Sequence, residues 1–113
     1  MEETRNVFIS LPMHDRSDDF VKARMQFIFE LAQKRFHGDL KLINTMLPDD
    51  IPDKDAKNPK LWYLGRSISL LCNADLVIFD CDYKEANGCQ IEKAACILYG
   101  IPYYILDNNP EVD

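Results

Sequence analysis

The chain has 113 residues and a formal net charge of −6, with 47% hydrophobic and 28% charged residues. This length supports a single domain around one hydrophobic core, so we treat residues 1–113 as one domain. The negative charge argues against a broad surface for nucleic-acid polymers or anionic membranes, because such surfaces need clustered lysines and arginines. A small ligand pocket needs only one or two local cations and is not excluded.

The sequence carries no targeting or membrane signal. No stretch approaches the ~20 apolar residues of a membrane span, and the N-terminus, MEETRNVFISLP, is acidic where a signal peptide is basic. We therefore expect a cytoplasmic protein. The cysteines form no C-x-x-C pair and have no histidine at zinc-finger spacing, so we expect free thiols and no metal site. They are Cys72, Cys81, Cys89 and Cys96.

Strand and helix patterns alternate along the chain. Short apolar runs indicate strands, and longer stretches with apolar residues at helical spacing indicate helices. The predictions are a strand at Arg5–Ser10, a helix at Asp18–Phe36, a strand at Leu40–Asn44, a helix from Pro59 to about Cys72, a strand at Leu76–Phe79, a helix that ends at Tyr99-Gly100, and a strand at Ile101–Leu106. This order predicts a three-layer α/β sandwich of flavodoxin-like or Rossmann-like type. Its sheet is expected to be mainly parallel, with four or five strands and helices on both faces.

Capping residues and apolar faces define the predicted helices. Ser17 or Asp18 caps the first helix, and Asn58, followed by proline, caps the second. Arg24 is expected to face water. The apolar residues expected to face the core are Phe20, Ala23, Phe27 and Leu31 in the first helix, widened by Met25, Ile28, Ala32 and Phe36; Leu61, Leu64, Ile68 and Leu71 in the second; and Ile91, Ala94, Ala95 and Leu98 in the third.

Met46–Asn58 is predicted to be a loop because it is rich in proline and aspartate. Pro48 and Pro52 interrupt regular structure there. Its aspartates raise the alternative of a calcium loop, but the glycine and glutamate that an EF-hand requires do not fall at the required positions. We expect a solvated acidic loop, which at this length can also serve as a lid.

Acidic residues follow the predicted strand Leu76–Phe79. Asp80 ends this strand, and Glu92 is predicted to lie in the first turn of the helix after Asn87-Gly88. Ligands bind at the carboxyl ends of the strands in open α/β sheets, so we place a site here. Asp80 is a candidate acceptor for a ribose hydroxyl, or alternatively an acid that caps the loop. Glu92 is the candidate catalytic residue, or alternatively a first-turn glutamate that stabilises the helix by ~0.3–1 kcal/mol.

The candidate ligand-binding residues lie near the same predicted edge of the sheet. The loop after the first strand offers backbone amides to a phosphate or a base. Trp62 and Arg66 lie four residues apart, in one patch on a helix. Arg16 and Arg66 are the cations expected near a phosphate. The full set of candidates is Ser10, Leu11, Pro12, Met13, Trp62, Arg66, Asp80, Asn87 and Gly88.

A cysteine nucleophile is an alternative to Glu92. Cys89 is predicted near a helix N-terminus, where the pKa of a thiol is lowered. His14 lies in another loop at the same predicted sheet edge and would serve as its base. The C-x5-R spacing of cysteine phosphatases is absent after every cysteine.

Three motifs, in their order along the chain, resemble those of nucleoside 2-deoxyribosyltransferases and the related deoxynucleotide N-hydrolases. VFISLPM at Val7–Met13 is similar to their first strand and loop, and W-x-x-x-R-x-x-x-L at Trp62–Leu70 is similar to their middle helix. NGCQIE at Asn87–Glu92, followed by two alanines and Gly100-Ile101-Pro102, resembles their loop-and-helix signature. The resemblance covers most of the chain.

This resemblance implies a nucleoside or nucleotide ligand and no cofactor. It implies cleavage or transfer at the N-glycosidic bond, with Glu92 at the position of the carboxylate that attacks the anomeric carbon. Such a carboxylate stabilises the positive charge on the sugar or forms a glycosyl ester. Relatives commonly complete their sites across a dimer, which implies a homodimer or a larger homo-oligomer.

The chain also departs from the pattern of these relatives. Ser67 stands where they often keep an aspartate, and Ala86 stands where they keep a serine. Leu11 replaces the common loop glycine, and Asn87 replaces an arginine. A nucleotide-binding or sensing module without catalytic activity is therefore the alternative function.

Overall fold

The computed structural model describes residues 3–47 and 51–107. Within these residues, strands and helices alternate in the predicted order. The strands are β1 (Arg5–Ser10), β2 (Leu40–Leu42), β3 (Leu76–Phe79) and β4 (Tyr103–Ile105); the helices are α1 (Asp18–Arg35), α2 (Pro59–Leu71) and α3 (Asn87–Tyr99). One 3-10 turn, Tyr83–Glu85, precedes α3. Pro48, Asp49, Asp50 and the tail beyond Asp107 lie outside the described residues.

The four described strands form one parallel sheet in the order β2-β1-β3-β4. β1 lies inside the sheet, where Val7 pairs with Leu42 of β2 and with Leu76 of β3. The chain leaves β1 toward β2 on one side and later enters β3 on the other side. The point where the strand order reverses therefore lies between β1 and β3, the usual position of a ligand site in this class of fold.

Apolar side chains cover both faces of the sheet, because successive residues of a strand point to opposite faces. On one face, Val7, Ile9 and Ile78 pack against α1. On the other face, Phe8 and Phe79 pack against α2 and α3. Helices therefore lie on both faces, and the predicted α/β sandwich is confirmed.

The buried face of α1 agrees with the prediction at Met25, Ile28 and Ala32 but differs from it at Val21 and Phe20. Val21, Met25, Ile28 and Ala32 are its buried residues. The pattern places Phe20 in the core, but Phe20 is 50% exposed and its ring lies under the Arg16 guanidinium at 5.1 Å. Ser17 caps the helix through its side chain, as predicted.

The predicted buried face of α3 is wrong except at Ala95, which is partly buried against the core. The helix begins at Asn87, so Glu92 lies in its second turn rather than its first. Its buried residues are Cys89, Glu92 and Cys96, whereas Leu98 is 78% exposed. Apolar residues at helical spacing define the predicted core face, and this pattern leaves a carboxylate such as Glu92 out of it. In the folded chain, hydrogen-bond donors from other elements allow Glu92 to be buried.

Smaller differences concern the ends of elements. β2 stops at Leu42 rather than Asn44, and β4 is shorter than the predicted Ile101–Leu106. In α2, Leu61 is 59% exposed although it belongs to the predicted core stripe. No helix in the described ranges is long and apolar enough to cross a membrane.

Candidate functional site

A cavity of about 390 Å³ opens beside the carboxyl end of β1. Its walls come from the loop after β1, from α2 and from the start of α3. On α2, the lining residues Lys60, Tyr63, Leu64 and Ser67 have i, i+3, i+4 and i+7 spacing and so share one helix face. The cavity lies at the edge of the sheet where the strand order reverses, which is where ligands bind in such sheets.

Glu92 lies in the wall of this cavity and is held by two serine hydroxyls. The Oγ of Ser10, at the end of β1, donates a hydrogen bond to Oε1 of Glu92 at 2.7 Å. The Oγ of Ser67, on α2, donates to Oε2 at 2.6 Å. Glu92 is only 6% exposed. Three separate elements therefore converge on one carboxylate and set its orientation.

Burial raises the pKa of Glu92 above its ordinary value of 4.5. The hydrogen bonds from Ser10 and Ser67 favour the charged form and offset only part of this effect. The helix dipole adds little, because its influence falls off within the first turn. The alternative of a first-turn glutamate that stabilises the helix is wrong for this position. A buried carboxylate with a shifted pKa in a cavity marks a candidate functional site.

Ser67 is a polar partner of Glu92, although it stands where the proteins that the sequence resembles often keep an aspartate. Its hydroxyl reaches the carboxylate directly. Ala86 lines the cavity and contributes only a methyl group. The helical spacing of the sequence places Ser67 on the same helix face as Lys60 and Tyr63. It does not show that Ser67 contacts Glu92, because the two residues are 25 positions apart in the chain.

The structure brings together about half of the predicted site residues. Those that line the cavity are Ser10, Leu11, Met13, Gly88 and Glu92. Those that are not among its lining residues are Pro12, Trp62, Arg66, Asp80 and Asn87.

Trp62 and Arg66 lie on a different face of α2 from the residues that line the cavity. The Trp62 ring packs edge-on against Tyr63, with the ring centroids 5.3 Å apart. Gly88 lies within the first turn of α3 rather than in the loop before it. A Cβ at Gly88 would meet Leu64 at an ordinary distance of 3.6 Å, so the backbone does not require glycine here.

Asp80 is 2% exposed and is bonded to protein donors. Arg24 donates to it from Nε and Nη2, each at 2.8 Å, and the Cys81 amide donates at 2.7 Å. Burial acts to raise the pKa of Asp80, but these hydrogen bonds outweigh it and hold the pKa below 3.8. The arrangement favours the loop-capping interpretation over a ribose acceptor. Arg24 is therefore not a solvated residue, contrary to the prediction.

The acidic cluster after β3 is already neutralised by arginines. Ligand-type atoms of Asp80, Cys81 and Asp82 lie within 4.8 Å of one another. Asp80 pairs with Arg24, and Asp82 pairs with Arg16 at 2.5 Å. These pairs supply the positive charge that a bound cation would otherwise provide. Arg16, predicted to lie near a phosphate, is engaged here instead.

The cysteines are free thiols. Burial raises the pKa of Cys89 to about 11, so this thiol is protonated at neutral pH. His14 also lines the cavity, but its Nε2 lies 3.3 Å from the carboxylate of Asp15. The protonated thiol argues against the cysteine–histidine alternative, because the thiolate is the reactive form.

Comparisons of the chain with family models, with curated proteins and with solved structures find no match. The fold is a flavodoxin- or Rossmann-type α/β domain with a parallel sheet. Its most distinctive local feature is a buried glutamate in a cavity at the edge of that sheet. An assignment of function rests on this geometry and on the motifs in the sequence.

Proposed function

We propose that this protein cleaves or transfers the N-glycosidic bond of a nucleoside or nucleotide, as an N-hydrolase or a deoxyribosyltransferase. The observation that carries the proposal is the buried carboxylate of Glu92, oriented by Ser10 and Ser67 in a cavity at the sheet edge. Among the described lining residues, Glu92 is the only carboxylate. Its position in the chain is also the one that the sequence resemblance assigns to a nucleophile.

The chemistry needs one oriented carboxylate. An ionised oxygen of Glu92 attacks the anomeric carbon while the bond from that carbon to the base nitrogen breaks. The electron pair leaves with the base, which takes a proton from water, and a glycosyl ester of Glu92 remains. Water then releases the sugar and restores the carboxylate, or a second base takes the sugar instead.

Base release is the direct test of this proposal. We expect the protein to release free base from at least one member of a panel of 2′-deoxynucleosides and their 5′-monophosphates, measured by chromatography. Intact-protein mass spectrometry during turnover is expected to detect one added sugar. Digestion and peptide mass spectrometry are expected to place it on the peptide that contains Glu92. Absence of base release from the whole panel, with or without an acceptor base, would contradict the proposal.

A second candidate function is a nucleotide-binding or sensing module without turnover. Both oxygens of Glu92 already accept hydrogen bonds, and Ala86 adds no polar group to the cavity. These features fit a carboxylate that recognises ligand hydroxyls as well as one that attacks. Saturable nucleotide binding in calorimetry, with no base released over hours, would select this function.

We also infer a cytoplasmic homodimer or larger homo-oligomer. Tyr63, which lines the cavity, is 49% exposed and packs edge-on against Trp62, so this aromatic pair is available for a subunit contact. A neighbouring subunit that contacts Tyr63 would help to close the cavity. Light scattering at micromolar concentration is expected to give at least twice the chain mass. A monomer would count against a shared site.

A further inference from the structure

We infer that the cavity binds a phosphomonoester through Lys60, so that its ligand is a nucleoside 5′-monophosphate rather than a free nucleoside. The inference rests on the proposed function and names the substrate class of the same site. It assigns a ligand contact to a residue that the sequence motifs leave out, in place of Arg16 and Arg66.

The cavity-lining face of α2 changes in chemistry along the helix. Ser67 holds Glu92 at one end of this face, and Lys60 is the lining residue at the other end. The two residues are two helical turns apart, about 10 Å along the axis. Tyr63 and Leu64 lie between them and offer an aromatic ring and methyl groups. This order matches a ligand with a reactive carbon at one end, an apolar or aromatic body, and an anionic end.

Lys60 is the charged lining residue best suited to an anion. It is exposed and forms no ion pair within residues 3–47 and 51–107. His14 also lines the cavity, but Asp15 accompanies it at 3.3 Å. Arg16 and Arg66 are not among the lining residues.

Glu92 sets the direction in which such a ligand lies. A phosphate close to this carboxylate would be repelled when both are ionised, so the phosphate belongs at the Lys60 end. The anomeric carbon of a 5′-nucleotide is separated from its phosphorus by several bonds, which allows the carbon to reach Glu92. Lys60 lies in the first turn of α2, where the positive end of the helix dipole also favours an anion.

The test is a titration of matched ligands. A 2′-deoxynucleoside and its 5′-monophosphate are titrated by calorimetry into protein with Glu92→Gln, which prevents turnover, and into the same protein with Lys60→Ala or Lys57→Ala added. Lys57 is an exposed lysine three residues away that does not line the cavity. We expect the monophosphate to bind more tightly than the nucleoside. Lys60→Ala is expected to weaken monophosphate binding about tenfold and leave nucleoside binding unchanged. Lys57→Ala is expected to change neither.

Other results would overturn the inference. These are equal affinity for the two ligands, an equal loss for both in Lys60→Ala, the same loss in Lys57→Ala, or no binding of either ligand. Lys60→Arg is expected to retain the preference for the monophosphate, which separates loss of charge from loss of fold. Phosphate-dependent binding without base release from the wild-type protein would contradict the proposed function and leave this inference standing. Base release by the wild-type protein, together with unchanged monophosphate binding in Lys60→Ala, would support the proposed function and overturn this inference.

Discussion

Replacement of Glu92 by glutamine is expected to lower the rate of base release by on the order of 10³-fold or more. The amide has nearly the shape of the carboxylate, so Ser10 and Ser67 keep a partner while the anionic nucleophile is lost. Rates are measured by chromatography on the best substrate of the panel. Glu85→Gln is the matched control, because Glu85 is exposed and does not line the cavity. A Glu92→Gln variant with wild-type turnover would remove this residue from the mechanism.

The same variant is expected to be more stable than the wild-type protein at neutral pH. Burial raises the pKa of Glu92 in the folded state, so protonated Glu92 stabilises the folded state at pH values below its ordinary pKa of 4.5. This stabilisation is lost as the pH rises through the folded-state pKa. Glutamine does not ionise. We expect a gain of about 0.5–2 kcal/mol in the free energy of unfolding at pH 7–8, which fades toward pH ~4. Urea unfolding at both pH values measures it.

The pH dependence of activity follows from the same shift. Since the attacking form of Glu92 is ionised, activity is expected to fall on the acid side at a pH above the ordinary glutamate value of 4.5. Ser67→Ala removes a hydrogen bond that favours the charged form, so the acid limb moves to higher pH. Ser69→Ala, at an exposed position on the same helix, is expected to leave the profile unchanged.

Replacement of Arg24 by methionine is expected to lower the free energy of unfolding by about 3–5 kcal/mol. Asp80 would remain buried without its guanidinium partner, and a buried carboxylate without compensation strongly destabilises a fold. The loss is large beside the ~5–15 kcal/mol that stabilises a typical domain. Urea unfolding monitored by circular dichroism measures it at pH 7.

The control for this prediction is Lys22→Met, on the exposed side of the same helix, which is expected to change stability by less than about 0.5 kcal/mol. Arg24→Met combined with Asp80→Leu is expected to recover most of the loss, because a buried pair can be replaced by apolar residues. An Arg24→Met variant as stable as Lys22→Met would show that the ion pair contributes nothing to the fold.

Local patterns predicted the elements that need only local causes. The apolar run at Leu76–Phe79 has the strand limits that the structure shows, because a strand covered on both faces is apolar throughout. Asn58 and Pro59 begin α2 as predicted, since a cap acts on the amides of its own first turn. The same logic misplaced the buried face of α3, because it selects apolar side chains and so leaves Glu92 out of the core.

About half of the candidate site followed from the sequence. Ser10 and Glu92 were predicted together because β1, which ends at Ser10, and the strand before the helix of Glu92 end at one edge of a parallel sheet. Lys60 and Tyr63 were missed as lining residues, since helix periodicity identifies a stripe but not whether the stripe faces a cavity. Arg66 was favoured for its charge, and its helix face is not the one that lines the cavity.

The sequence by itself determined the order of strands and helices and their caps, because these depend on interactions within a few residues. It also determined the parallel α/β class, because strands that alternate with helices are joined by crossover connections. Only the tertiary structure decided which polar groups are buried together. Ser10 and Glu92 are 82 residues apart in the chain, and Arg24 and Asp80 are 56 residues apart. Such pairs form because the sheet order β2-β1-β3-β4 brings distant strand ends, and the helices that follow them, to one edge. The environment of Glu92, and with it the case for function, therefore comes from the fold.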